Sequence, residues 1–220
     1  MKSKIKAIIK KIPFFITKTK LAQSPIVNIN KNDNDDMNIF LEQVADTIEK
    51  NAIEKKSFIE VDNISLSQKE CVYIVDFNQQ KIVFNKGFYN LLGYDNKEIT
   101  LELIESLYHP EDTKLINKII KNSILHCLAH PEDSLNNNLF FSFRLRKKSG
   151  SYIKILSQSY VYDFNKENGM SSTLIKFTDI SFIDNTKNVY WEFKAPNLNE
   201  EAFKQRIQKK NNAFFTKKEI

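Results

Sequence analysis

The order of strand-like and helix-like segments between residues 71 and 179 limits the fold of this chain more than any other feature. Two apolar runs rich in β-branched and aromatic residues, Cys71–Phe77 and Lys81–Phe84, are separated by a turn-like segment and predict a hairpin. Turn signals separate three further predicted strands, at Leu139–Lys147, Ser151–Phe164 and Ser171–Asp179. Helical patterns lie between the hairpin and these strands. The sequence therefore predicts an α+β domain in which helices are inserted between a hairpin and a three-stranded meander.

Helix-start signals mark the inserted segment. In the run His109-Pro110-Glu111-Asp112, the proline suits a first helical turn and the two acids complement the positive end of the helix dipole. We expect that helix to span about residues 110–129. Before it, Asn85 is expected to cap a short helix that stops at Gly93, and another short helix is expected to begin near Asn96.

An amphipathic helix is predicted ahead of this domain, over about residues 37–55. Asp36 suits its N-cap, and apolar residues follow at steps of four, at Phe40, Val44, Ile48 and Ala52. Such a stripe packs either on the following domain or on a second copy of the helix in a dimer. The pattern does not separate these two alternatives.

The net charge of +6 is located at the two ends of the chain. Residues 1–20 contain seven lysines and no acidic residue, whereas residues 70–183 contain 13 basic and 13 acidic residues. We expect a solvated basic arm, with contact to nucleic acid or anionic lipid as the alternative. The chain has four glycines, and no two are close enough for a P-loop or a dinucleotide-binding turn.

The two cysteines, Cys71 and Cys127, lie far apart in apolar contexts. The N-terminal segment lacks a signal-peptide pattern, and no run of about 20 apolar residues is present. We therefore expect a cytoplasmic protein with reduced thiols and no membrane span. The sequence also lacks G-x-S-x-G, H-E-x-x-H and C-x-x-C patterns, so neither an enzyme nor a metal site is predicted.

Several short runs together resemble a PAS domain. They are Tyr73–Asp76, Ile82–Asn85, Leu91–Tyr94, Leu107–Asp112, Arg144–Tyr152 and Phe177–Ile180, in this order and spacing. The resemblance implies a PAS fold, with a five-stranded antiparallel sheet that carries helices on one face and encloses a small pocket. The N-terminal helix and a C-terminal extension lie outside this fold.

The end of the chain has a second resemblance. Phe215–Ile220 is similar to the opening of a LuxR-type helix-turn-helix domain, and Thr216 with Glu219 forms a capping-box pattern. The chain then ends before any recognition helix, which suggests truncation at the start of that domain. The predicted plan is a basic arm and polar linker over 1–35, an amphipathic helix and connector over 36–65, a PAS domain over 66–183, a linker extension over 184–212 and the helix-turn-helix start over 213–220.

The two resemblances imply a PAS sensory and dimerisation module of a cytoplasmic LuxR-type transcriptional regulator that lacks its DNA-reading domain. We expect a homodimer that responds to an unknown small-molecule ligand or protein partner, with no specific DNA binding by this chain alone. A ligand-driven population shift would be relayed through residues 184–210. The alternative is a stand-alone PAS sensor that binds haem or another small molecule and acts through protein–protein contacts.

Two sets of candidate site residues follow. His126 and His130 lie one helical turn apart, and because some PAS domains hold haem through a histidine on this helix, they are candidate haem ligands, with a partly exposed helix end as the alternative. Arg144 and Arg146, with Lys154 nearby, are expected on a solvated strand face, with an anion site as the alternative. The residues predicted to line the pocket, unless their rings simply fill the core, are Tyr73, Phe88, Leu92, Phe141, Phe143, Tyr160 and Ile175.

Overall fold

The computed structural model describes residues 37–47, 59–165 and 169–208. The first helix, α1, spans Met37–Thr47. The remainder of its predicted range, with Ile48 and Ala52, lies outside the described residues. So do the basic arm over 1–35 and the helix-turn-helix start over 213–220.

The described strands form one antiparallel sheet in the order β2-β1-β5-β4-β3-β6. The five strands predicted from the sequence are all present, with ends that differ from the prediction by at most two residues. A sixth strand follows them. The strands are β1 Glu70–Asp76, β2 Lys81–Lys86, β3 Asn138–Arg146, β4 Tyr152–Asn165, β5 Gly169–Asp179 and β6 Trp191–Lys194.

The helices between β2 and β3 confirm the predicted insertion. The longest of them begins at Pro110 and ends at Ala129, as its start signals indicate, and the Nδ1 atom of its N-cap His109 accepts a hydrogen bond from the Glu111 backbone amide at 3.2 Å. The remaining helices in chain order are α2 Ile59–Asp62, α3 Phe88–Leu92, α4 Leu101–Ser106, α5 Pro110–Ala129 and α6 Glu200–Gln208, with 3₁₀ turns at Asn96–Glu98 and Pro131–Asn136.

The prediction that Asn85 caps α3 is wrong. Gly87 is the N-cap, with φ of 90°, and no side chain caps this end. The Asn85 side-chain amide instead donates to the backbone carbonyl of Asn96 at 3.1 Å. A side chain at position 87 would place its Cβ 2.5 Å from the Glu70 carbonyl oxygen, so this turn passes too close to β1 for any residue but glycine.

The N-terminal helix packs on the domain, which is one of the two alternatives predicted for it. Met37, Phe40, Leu41 and Val44 are buried and belong to the main core between the inner face of the sheet and its helices. The Nζ of Lys121 in α5 lies 5.6 Å from the centre of the Phe40 ring. Pairing of this helix in a dimer stays a prediction.

A smaller apolar cluster covers part of the other sheet face. Val72 and Ile74 alternate with the inward-facing residues of β1 and pack with Val61 of α2. The buried apolar residues of α3, α4, α5 and α6 belong to the main core.

The segment after β5, predicted as a linker extension, returns to the domain. β6 pairs with β3, with Phe193 opposite Leu139. In α6, Phe203 and Ile207 are buried, and the Phe203 ring centre lies 5.0 Å from that of Phe193. The predicted five-stranded sheet is therefore extended to six strands. Trp191 and Phe193, at alternate positions of β6, pack on its inner face. Among the described residues, no helix is both long enough and apolar enough to cross a membrane.

Candidate ligand cavity

A largely apolar cavity of about 120 Å³ lies between the inner face of the sheet and helices α4 and α5. Its walls include Tyr73 and Val75 from β1, Ile104 from α4, and Ile120 and Ile124 from α5. Side chains of this kind exclude water and favour an apolar occupant.

Two serines on β4 make room for the cavity. Ser157 lies opposite Phe141 of β3 and Phe177 of β5, and Ser159 lies opposite Leu139 and Ile175 in the same two strands. Residues paired in this way share one face of the sheet. Small side chains in the middle of a sheet otherwise lined by large ones leave space that the surrounding rings do not fill.

The structure divides the seven predicted pocket residues into two groups. Tyr73, Phe141, Tyr160 and Ile175 line the cavity. Phe88, Leu92 and Phe143 are not among the lining residues; they are at most 1 % exposed and lie in the core behind it. The Phe88 and Tyr73 ring centres are 5.7 Å apart, and those of Phe143 and Phe141 are 5.3 Å apart, so these core rings support the lining ones.

Residues outside the predicted PAS domain also form part of the wall. Met37 and Leu41 of α1 line the cavity, as does Phe193 of β6. Phe193 in turn contacts Phe203 of α6. The two extensions therefore meet at the cavity, an arrangement that the sequence analysis did not predict.

Several buried polar residues interrupt the apolar wall, among them Asn137 and Ser157. The Asn137 side-chain amide donates to the Cys127 sulfur at 3.2 Å, which leaves Oδ1 of Asn137 without a hydrogen-bond partner. The Ser157 hydroxyl oxygen also has no partner. Their exposed fractions are 4 % and 0 %. Buried polar groups without partners destabilise a fold by about 1–3 kcal/mol each, so both atoms are suited to a ligand that completes their hydrogen bonding.

Burial keeps three ionisable side chains of the cavity wall neutral near pH 7. Burial raises the pKa of Tyr73 well above its usual value, and burial together with the nearby negative charge of Glu105 raises the pKa of Tyr108. Burial also raises the pKa of Cys127 to about 11, although the hydrogen bond from Asn137 opposes this effect. The thiol is therefore a poor nucleophile, because the thiolate is the reactive form.

The two candidate haem ligands lie outside the cavity wall. His126 is buried, with its ring centre 4.6 Å from that of His130 and 5.5 Å from that of Phe193. Neither histidine is among the residues that line the cavity. Within the described ranges, no cluster of three or more His, Cys, Asp or Glu residues is placed to hold a metal ion.

Arg144 does not lie on a solvated face, contrary to the sequence prediction. Its guanidinium donates to the Asp112 carboxylate through Nη2 at 2.5 Å and Nε at 3.1 Å, and to Glu111 at 2.9 Å. The Arg144 backbone amide also donates to Asp112 at 2.9 Å. These bonds fix the start of α5 against β3. Arg146 is exposed, as predicted.

Residues 81–177 match a family model described as PAS fold. No curated protein matches the chain. The N-terminal domain of a diguanylate cyclase with a PAS/PAC sensor from Marinobacter aquaeolei is 18 % identical, with a TM-score of 0.43 over 52 % of this chain and 97 % of that one. The PAS domain of a Colwellia psychrerythraea protein is 20 % identical, with a TM-score of 0.40 over 51 % and 87 % of the two chains.

A sensory box histidine kinase/response regulator from Burkholderia thailandensis is 14 % identical, with a TM-score of 0.37 over 52 % of this chain and 79 % of that chain. The antiparallel strand order, the helices inserted between β2 and β3, and the match over residues 81–177 agree in a PAS fold.

Proposed function

We propose that this chain is a PAS sensory module that binds a small molecule in the cavity and transmits its occupancy to α1, β6 and α6. The observation that carries this proposal is the composition of the cavity wall. Met37, Leu41 and Phe193 belong to the two extensions, yet they line the same space as residues of the central sheet.

A molecule in the cavity would change the free energy of docking for both extensions. It would contact Met37 and Leu41 on one side and Phe193 on another, and Phe193 packs on Phe203 of α6. A ligand that binds better when these segments are docked shifts the population toward the docked state. Ligand binding therefore changes how α1 and α6 pack on the domain, and this change is the output of the module.

A buried lysine fixes the path between the central sheet and β6. The Lys154 side chain is 3 % exposed, and its ammonium donates to the carbonyl of Thr186 at 3.2 Å and to the carbonyl of Asn188. Asp184 provides a carboxylate oxygen 3.6 Å away. Because three groups from residues 184–188 meet one ammonium on β4, movement of β6 would be coupled to the sheet.

Ligand-dependent hydrogen exchange of the full chain tests the sensor proposal, with toluene as the probe because it is apolar and one ring in size. We expect toluene to slow amide exchange in α1, β6 and α6. The internal reference is residues 81–92, which include β2 and α3 and contribute no residue to the cavity wall. Slower exchange in the central strands alone, or no effect of toluene anywhere, would contradict the proposal.

We further propose that the module belongs to a cytoplasmic LuxR-type transcriptional regulator that works as a homodimer. The supporting feature is the sequence Phe215–Ile220, with its capping-box pair Thr216 and Glu219, downstream of a PAS domain. We expect this chain alone to show no sequence-selective DNA binding at physiological salt. A gel shift that shows such binding would contradict the proposal that a separate domain reads the DNA. Light scattering of the purified chain would show whether it forms a dimer.

The second candidate function is a stand-alone small-molecule sensor that acts through protein contacts. It is favoured by two adjacent apolar residues after β5, Phe182 and Ile183, which are each 71 % exposed. They sit beside Asp184, at the start of the segment that Lys154 holds. If this candidate is correct, replacing both with serine abolishes partner binding and leaves toluene affinity unchanged.

A further inference from the structure

We infer that the cavity selects a neutral molecule of about one aromatic ring that carries a hydroxyl group, with the Asn137 amide oxygen as the acceptor. This inference rests on the proposed ligand-binding function and specifies the chemical class of the ligand. Three features of the cavity carry it: its volume, the charge of its wall and its buried polar atoms.

The volume sets the size of the ligand. The cavity measures about 120 Å³, whereas an engineered apolar cavity of about 150 Å³ is large enough to bind benzene. Pockets for drug-sized molecules range from about 300 to 1,000 Å³. Nucleotides, flavins and haem are therefore too large for this space, and a single ring with one small substituent is near its upper limit.

The charge of the wall excludes anions. Among the described residues that line the cavity there is no Lys, Arg or His, and Glu105 is the single carboxylate. An anionic ligand would lose its hydration without gaining a positive partner and would be repelled by Glu105. The ligand is accordingly neutral.

The buried polar atoms define what the ligand must donate. The bond from the Asn137 amide nitrogen to the Cys127 sulfur holds the amide in one orientation, with Oδ1 lacking a partner on the cavity wall. A carbonyl oxygen of this kind accepts hydrogen bonds and cannot donate them. A ligand hydroxyl satisfies it, whereas a purely apolar ligand leaves it unpaired.

The Ser157 hydroxyl is a second buried polar group of the cavity wall, and it lies at some distance from Asn137. Asn137 immediately precedes β3, whose first residue, Asn138, pairs with Tyr160, whereas Ser157 pairs with Phe141. Phe141 lies three positions after Asn138 along β3, which corresponds to about 10 Å at about 3.3 Å per residue. The hydroxyl of one small ring therefore does not reach both atoms. We assign the acceptor to Asn137 because its oxygen only accepts and its amide is held by the bond to Cys127.

The test compares phenol, toluene and benzoate as ligands of the full chain by isothermal titration calorimetry at pH 7.4. In a wholly apolar cavity, toluene binds more tightly than phenol, because the phenol hydroxyl loses its hydrogen bonds to water. We expect phenol to bind at least as tightly as toluene here, and benzoate not to bind. Binding of toluene ten times tighter than phenol, or measurable benzoate binding, would overturn the inference.

Two variants locate the acceptor. In Asn137→Leu, which has a similar volume but no polar atom, we expect the ratio of phenol to toluene affinity to fall about fivefold, corresponding to the loss of one hydrogen bond of about 1 kcal/mol. The matched control is Asn138→Leu, the same substitution at the neighbouring asparagine, which does not line the cavity and should leave the ratio unchanged. An unchanged ratio in Asn137→Leu would overturn the assignment of the acceptor.

The outcomes separate the two levels of the proposal. If none of the three molecules binds the wild-type chain, both the sensor function and the ligand class fail. If toluene binds and phenol is disfavoured, the cavity is a binding site, but its ligand is apolar. Should Asn137→Leu not fold, the affinity ratio of the wild-type chain still decides the ligand class.

Discussion

Asp112 is the residue on which the junction between α5 and β3 depends. Its side chain is 3 % exposed and accepts hydrogen bonds from both the guanidinium and the backbone amide of Arg144. Burial opposes ionisation of this carboxyl, but the hydrogen bonds and charge of Arg144 hold its pKa below the usual value. The ion pair is therefore present throughout the neutral range.

Replacement of Asp112 by Asn should lower the free energy of unfolding by about 3 kcal/mol, because it leaves a largely buried guanidinium without its carboxylate. Urea denaturation at pH 7 measures this change. The control is Glu111→Gln, since Glu111 contacts the same guanidinium from a position that is 66 % exposed. A much smaller loss is expected there, and equal losses in the two variants would show that burial does not determine the strength of the pair.

The same carboxylate predicts a pH dependence. A group whose pKa is lower in the folded state stabilises the fold above its unfolded pKa, and this contribution is lost as the pH falls through the folded pKa. For Asp112 the loss should begin below about pH 4, the ordinary value for an aspartate. Stability measured from pH 6 to pH 2.5 should decline less steeply for Asp112→Asn than for the wild type. Parallel curves would contradict this assignment.

Two glycines with similar backbone angles separate conformational strain from steric contact. Gly87 and Gly150 have φ of 90° and 92°, but an added Cβ would lie 2.5 Å from the Glu70 carbonyl at position 87 and would have no neighbour within 4 Å at position 150. Gly150→Ala should cost about 1 kcal/mol from the backbone conformation alone, whereas Gly87→Ala should cost about 3 kcal/mol or more. Thermal denaturation of both variants measures the difference. Equal costs would mean that the loop moves away from β1.

At the scale of elements, Lys154 holds the connector between β5 and β6. Lys154→Met removes the ammonium and leaves the Thr186 and Asn188 carbonyls and the Asp184 carboxylate without it. We expect a local loss of about 2 kcal/mol, which corresponds to about 30-fold faster amide exchange in residues 184–194. Lys148→Met is the control, because the Lys148 ion pair with Glu98 is exposed and remote from the connector. Unchanged exchange in Lys154→Met would show that β3 pairing alone holds β6.

Elements with strong local signals could be predicted, and elements that depend on distant partners could not. Pro110 and the acids after it fix the start of α5 by local chemistry, and the structure places the helix over the predicted range. By contrast, β6 has only four residues, and its identity as a strand comes from pairing with β3, about 50 residues earlier in the chain. A polar segment with two aromatic residues gives no local sign of that partner.

The cavity shows the same distinction among individual residues. Aromatic content indicated Tyr73 and Phe141, which line the cavity, but it gave no way to tell lining rings from supporting ones such as Phe88 and Phe143. The informative signal was a pair of small residues, Ser157 and Ser159, at alternate positions of a long strand. Asn137 could not be predicted, because its role depends on Cys127 and on the surrounding burial.

At the scale of the whole molecule, the main core extends beyond the family match. Met37 from α1 and Phe193, Phe203 and Ile207 from the C-terminal segment are buried in the same apolar cluster as the central sheet and α5. Residues in one continuous core unfold together in a small domain. The extensions thus pack on the same core that surrounds the cavity.

This continuity predicts the effect of ending the chain at the sequence-based domain boundary. A variant of residues 1–183 lacks β6 and α6, and with them the buried side chains of Phe193, Phe203 and Ile207. Burial of each such side chain contributes about 1.5–3 kcal/mol, and part of this is offset by the conformational entropy that ordering the segment costs.

Relative to a reference variant of residues 1–208, we expect the 1–183 variant to lose about 3 kcal/mol or more of its free energy of unfolding in urea denaturation. We also expect it to lose toluene binding, because Phe193 no longer closes the cavity. Both variants lack residues 209–220, so the comparison isolates the described C-terminal segment. Equal stability and equal toluene affinity would mean that residues 66–183 form the complete sensor and that β6 and α6 only rest on its surface.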